Sequence, residues 1–147
     1  MSSQYLLVLS VTVGVMVVIQ GGINARLGMM LSNTLLATSI ALLLSAIITL
    51  IAFFITTKEY PTVNQIKNIP IYWYMGGLFS FSGLSLFYYV IPRLGISTVV
   101  TFGLTGQIIF ASIAAHYGWF GMPIEQISIK KIIGMLIMIM GLTVIKY

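Results

Sequence analysis

Ser112 and His116 stand four residues apart in "GQIIFASIAAHYGWFG", close enough on a helix for a hydroxyl and an imidazole to touch. Nucleophilic catalysis needs a third group to orient the imidazole, and no carboxylate lies nearby in sequence. The two acidic residues, Glu59 and Glu125, fall in separate polar connections, and there is no cysteine. A single histidine with no cluster around it does not make a metal site. The residue types therefore argue against an enzyme, and they call for neither a metal nor another cofactor.

The polar side chains that remain sit inside apolar runs. Gln20, Asn24 and Arg26 interrupt "IQGGINARLGMM", and Gln107 lies near the middle of "TFGLTGQIIFAS". If the first run continues as a helix through its glycines, Thr12, Met16, Gln20, Asn24 and Gly28 fall along one face. Thr34, Thr38, Ser45 and Thr49 share a second such edge, and Gly103, Gln107, Ala111 and Ala115 a third. Small and hydroxyl residues on these edges admit close helix approach and interhelical hydrogen bonds. An amide facing lipid would leave its donors and acceptor unpaired, at a cost on the order of a few kcal/mol. Gln107 must then face a partner, a cavity, or both, so interhelical bonding and substrate contact both fit it. Gln20, Asn24, Thr38 and Gln107 are the candidate cavity residues, with Asn24 also suited to bonding at a helix end.

These residues are positioned by apolar segments. The chain has 147 residues, 59% hydrophobic and 6% charged, against roughly 25% charged for a soluble domain. Apolar stretches at Tyr5–Ile19, Leu35–Ile55, Ile71–Ile91, Ile96–Ala115 and Ile132–Ile145 alternate with polar connections. Most approach the ~20 residues that cross a hydrocarbon core of ~30 Å. Five transmembrane helices are expected, at about 4–28, 33–56, 71–91, 96–116 and 127–146, in one all-α transmembrane domain covering 1–147. The last run is short, but Ile127 and Ile129 extend it, and Lys130 and Lys131 can snorkel to the headgroups. The first run lacks a basic leader and a small-residue cleavage site, so it reads as a retained helix.

"TKEYPTVNQIKNIP", Thr57–Pro70, reads as a surface loop with a short helical turn after Pro61. "YGWFGMPIEQISIKK", Tyr117–Lys131, reads as an interfacial segment. Tyr72, Trp73 and Tyr74 open the third span and Tyr88 and Tyr89 close it, about 16 residues or roughly 24 Å apart, the spacing of two aromatic belts. The net charge of +5 comes from basic residues set singly between apolar runs, which suits lipid headgroups and topology rather than nucleic acid. Arg26 and Arg93 are expected on short turns at one membrane face, as orientation signals and headgroup ligands or as a basic rim for anionic substrates. His116, expected at an interface, belongs to the residue type that changes charge near neutrality.

"INARLG", "IPRLG" and "GQIIFASIAAHYGWFG", in this order across the spans, together resemble the short YdcZ-like family of five-helix bacterial inner-membrane exporters, within the drug/metabolite transporter (EamA-like) superfamily. The resemblance covers essentially the whole chain. It implies a half-size transporter of small solutes, in which two five-helix units, identical or paired, assemble in opposite orientations like the inverted repeats of ten-helix relatives. Asn24, Arg26, Pro92, Arg93, Gly106 and Gln107 occupy the family's motif positions. In that family an acidic residue often precedes the position of His116, where this chain has Ala115, so no protonation relay is implied there. The last helix also looks like the dimerising helix of small multidrug resistance proteins, with Gly134, Met138 and Gly141 on one face; a lipid-facing methionine stripe is the alternative.

Transport has one rival of a different class, a non-transporting subunit or assembly partner whose polar faces serve packing alone. No charged residue lies mid-run, and intramembrane carboxylates are the usual proton relays, so an embedded-glutamate proton exchange mechanism is disfavoured. Lys58, Lys67, Lys130 and Lys131 fall on the N-terminal side and Arg26, Arg93 and Lys146 on the other. Four against three is a small bias, compatible with insertion in both orientations.

Overall fold

Between Tyr5 and Ile19 only Ser10 and Thr12 interrupt the apolar side chains of the first helix, so it is hydrophobic around nearly its whole circumference, the pattern of a segment surrounded by lipid rather than floated on water. The computed structural model describes residues 3–146, and the side chains of 4–144. Helix α1 spans Ser3–Met30, α2 Thr34–Thr56, α3 Val63–Lys67, α4 Gly76–Leu94, α5 Ile96–His116 and α6 Ile129–Lys146, with 3₁₀ turns at Ile71–Met75 and Trp119–Gly121. No strand occurs among the described residues. Lys146 closes α6, but its side chain, counted above for charge bias, falls outside those described.

Four segments are long and apolar enough to cross a membrane: Gln4–Met30, Thr34–Thr56, Ile71–Leu94 and Ile96–His116. Most of their large apolar side chains are exposed on the protein's own surface, for example Val11 at 69% and Ile48 at 65%, as lipid-facing side chains must be. A further helix, α6, covers most of the fifth expected segment but is not among these four; it is begun by Ser128, whose hydroxyl accepts from the Lys131 N–H at 3.2 Å.

The chain divides into two compact units, one ending at Arg93 and one starting at Leu94. In the first unit α1 and α2 form a helical hairpin. Ser32 takes the left-handed conformation (φ 50°) just past α1. The Asn33 N–H then reaches back to the Gly28 carbonyl at 3.0 Å, satisfying a carbonyl that the helix end would otherwise orphan. Asn33 next caps α2, its Oδ1 accepting from the Leu36 N–H at 3.0 Å. The expected turn after Pro61 is α3, closed by a reciprocal capping box between Thr62 and Gln65.

Two boundaries differ from expectation for physical reasons. Helix α1 runs on through Arg26 to Met30, and α4 runs through Pro92 and Arg93 to Leu94. Both arginines therefore sit within helices, not in connecting turns; Arg93 lies in the last turn of α4, where a cation also suits the negative end of the helix dipole, and Arg26 lies just before the last turn of α1. Proline lacks the N–H that would bond the Tyr88 carbonyl four residues back, a loss that costs least near a helix end.

In the second unit α5 packs on α6 and on the 3₁₀ turn at Trp119–Gly121. Gly118 (φ 62°) turns the chain at the end of α5, and a side chain there would strike Ile124.

Candidate functional site

The first unit is built around small residues on one edge of α1. Gly21, Ala25 and Gly28 are buried, and a methyl on Gly28 would lie 3.4 Å from the Thr34 Cα and 3.6 Å from the Ala37 Cβ of α2. A methyl on Gly21 would overlap the Phe87 ring of α4. This edge lets α2 approach α1 closely and leaves room over Gly21 for the Phe87 ring that α4 sends across.

That approach carries Tyr88 into the interior, where it is 1% exposed. Its hydroxyl accepts from Asn24 Nδ2 at 3.0 Å. On α2, Thr38 is fully buried; its hydroxyl donates to the Thr34 carbonyl at 2.9 Å and accepts from Ser85 of α4 at 3.4 Å. Helix α4 thus holds α1 through one polar pair and α2 through another. Gln20, one turn before Asn24, is half-buried, and its amide makes no hydrogen bond among the described residues.

At the end of this unit where α1 and α4 finish and α2 begins, a cavity of about 300 Å³ is lined by Ala25, Gly28, Ser32, Thr34, Tyr88 and Arg93, with Met29 and Pro92 completing its wall. The Arg93 guanidinium lies 3.5 Å over the Tyr89 ring and donates to the Tyr89 carbonyl. Arg26 lines a different, shallower and mainly apolar recess with Gly22, Ile23, Leu27 and Met30. The two arginines share one end of the unit but not one site.

In the second unit Gln107 is exposed in the middle of α5 and has no hydrogen bond among the described residues. Gly103 and Ala111, four residues either side, are exposed with it. Ser112 donates to the Met135 sulfur of α6 at 3.3 Å, beside an apolar cavity of about 210 Å³ walled by Ile109, Ile113, Ile127, Ile132 and Leu136. His116 accepts at Nδ1 from the Ile127 N–H at 3.3 Å. Ser112 and His116 therefore have separate partners. The segment after α5 is tied down twice more, by the Glu125 N–H on the Ala115 carbonyl and by a Glu125–Lys131 ion pair, both at 3.0 Å. On α6, Gly134 and Gly141 are open and Met138 is half-buried. No cluster of metal-ligating side chains occurs among the described residues.

An all-helical chain with four membrane-length apolar helices and polar side chains paired between them has the makings of a membrane transport protein. The family described as "Putative inner membrane exporter, YdcZ" matches residues 5–144. The chain belongs to this family. It is a multi-pass protein of the inner membrane. No curated protein and no solved structure matches it.

For this YdcZ-family chain, sequence reasoning placed Asn24 and Thr38 on polar helix edges but missed their partners. Tyr88 had been assigned to an aromatic belt with Tyr89. The structure corrects this: Tyr88 is interior and hydrogen-bonded, while Tyr89 stays at the surface under Arg93. Adjacent residues on a helix point about 100° apart, so two neighbouring tyrosines cannot both face lipid squarely. That spacing was the available signal. Ser85 and Ser32 went unremarked because nothing in their local sequence distinguishes them from other small polar residues.

Proposed function

We propose that this chain is half of a small-solute exporter. Its α6 serves as a fifth membrane span, the two units act as one transmembrane domain, and the working assembly pairs two chains in opposite orientations, either identical copies or a homologous partner. An odd number of spans leaves one chain unable to form an inverted repeat alone. A partner of opposite orientation completes the pair that puts a site at mid-membrane.

Gln107 carries the reading. It lies about 16 Å along α5 at 1.5 Å per residue, within a span, exposed and without a hydrogen bond among the described residues. Facing hydrocarbon, its amide would cost on the order of a few kcal/mol. A second chain, a water-filled path, or both must therefore cover it. Gln20 raises the same demand more weakly, and Asn24 and Thr38 complete the polar lining. Arg26 and Arg93 form a rim at one membrane face and His116 marks the other, and Gly134, Met138 and Gly141 give a surface on which a second α6 can pack. A path of amides, hydroxyls and aromatics suits an uncharged or amphipathic solute. With both acidic residues in connections, transport proceeds without an embedded carboxylate.

Purified protein in liposomes, assayed for flux of a panel of uncharged and amphipathic fluorescent solutes, tests this. Gln107→Leu abolishes flux and leaves the protein folded and inserted; unchanged flux overturns the assignment. The rival reading, a non-transporting subunit, draws support from Asn24 and Thr38 being satisfied inside their own chain. It expects no flux from the unmodified protein, and loss of folded protein in Gln107→Leu.

A further inference from the structure

The cavity at the α1–α2 turn has a chemistry that goes beyond the rim role of Arg93 in the transport reading. Arg93 is permanently charged, and no ion pair engages it among the described residues. Glu59, the only acid in its unit, lies beyond the far end of α2, in the connection before α3. The guanidinium is nonetheless held in place, stacked on Tyr89 and anchored through one nitrogen to the Tyr89 carbonyl. Its five N–H donors are not exhausted by that single contact. Two hydroxyls, Ser32 and Thr34, line the same cavity, and neither side chain has a hydrogen bond among the described residues. Ser32 is held there in a left-handed backbone conformation that serine rarely adopts. The deeper wall is closed: the Tyr88 hydroxyl is already engaged by Asn24.

One fixed cation and two free hydroxyls therefore line one pocket whose wall carries no acidic side chain. At about 30 Å³ per water, a volume of about 300 Å³ holds a phosphate group with part of its hydration shell. The turn at residues 31–33 lies just outside the spans ending at Met30 and beginning at Thr34, so the pocket sits at headgroup depth. We propose that this cavity is a binding site for a phosphate group, with Arg93 as its charge partner and Ser32 and Thr34 as neutral donors. A phospholipid headgroup and a free phosphate ester present the same chemistry. Arginine stacked on an aromatic ring binds phosphate with less ordering cost than a free side chain, and the amino end of α2 adds a favourable field. Arg26, in its separate recess, has no part in this site.

The site is measurable whether or not the chain transports anything. Protein in an uncharged maltoside detergent is titrated in one arm with phosphatidylglycerol, in a second with inorganic phosphate, and in a third with a phosphate-free anionic lipid bearing a carboxylate. Binding is read from the ³¹P resonance in the first two arms and from the thermal unfolding midpoint in all three. Saturable phosphatidylglycerol binding with little response to inorganic phosphate assigns the site to lipid; comparable response to both assigns it to phosphate esters in general. In either case Arg93→Gln weakens binding by about tenfold or more, Arg93→Lys has an intermediate effect, and Arg26→Gln stays within about threefold. Ser32→Gly suits the left-handed turn, so it keeps the fold, and it weakens binding severalfold by removing one donor. It decides the matter if Arg93→Gln does not fold. Equal weakening by Arg26→Gln and Arg93→Gln, unchanged binding in Arg93→Gln or in Ser32→Gly, or equal response to the carboxylate lipid overturns the proposal.

Discussion

Asn24 and Tyr88 differ in depth, and the difference dictates how their hydrogen bond responds to mutation. Tyr88→Phe removes the hydroxyl and keeps the ring that fills the interior. The Asn24 amide it abandons is only half-buried and can find other acceptors. Side-chain hydrogen bonds within membrane bundles average about 0.6 kcal/mol and reach about 1.7, so the loss falls in that range. Asn24→Leu is harsher, because it strands a hydroxyl that is 1% exposed; a buried polar group without its partner costs about 1–3 kcal/mol. Replacing both partners removes the orphan, and apolar pairs of similar shape come close to neutral. The double variant should then be less destabilised than the two single variants added together, by about 1 kcal/mol or more. Reversible unfolding in mixed micelles, titrated with a denaturing detergent, measures all four proteins. Additivity within about 0.5 kcal/mol, or Tyr88→Phe costing more than Asn24→Leu, refutes the assigned bond and its polarity of burial.

Gly21→Ala puts a methyl into the Phe87 ring and is expected to lower stability in the same unfolding assay; Phe87→Leu restores part of the loss, and a Gly21→Ala protein as stable as the original removes the contact. His116→Phe keeps a ring in place and removes the Nδ1 lone pair that accepts the Ile127 N–H. Amide exchange at Ile127 is faster in His116→Phe than in the original protein, and unchanged exchange there excludes the assigned hydrogen bond. Because the chain has no cysteine, Asn64→Cys on exposed α3 reports orientation: an impermeant thiol reagent labels roughly half the molecules in intact cells if both insertions occur. Labelling confined to one side leaves only a pairing with a separate subunit. Lys131→Ala, which breaks a partly exposed ion pair with Glu125, changes stability by no more than about 1 kcal/mol, and a larger loss would mean that the segment after α5 depends on it.

The sequence alone determined four segments long and apolar enough to cross a membrane, because hydropathy is a sum along the chain and needs no knowledge of neighbours. It also placed the surface connection with its short helix after Pro61, and the polar edge of α1 carrying Gln20 and Asn24, since residues four apart share a helix face wherever the helix lies. It could not decide how each helix is rotated about its own axis. That rotation is set by packing: Gly21, Ala25 and Gly28 admit α2 and α4 to α1, Phe87 fills the space over Gly21, and Tyr88 is thereby turned inward while Tyr89 is left outside. The same packing joins Thr38 to Ser85, a pair separated by 47 positions that no local pattern could match. It also gathers Ser32 and Thr34 from one turn and Arg93 from a distant helix end around one cavity, whereas Arg26, which reads like a twin of Arg93 in sequence, is sent to another side of α1. Composition fixes which segments leave water; only side-chain volumes meeting across helices fix which polar atoms meet.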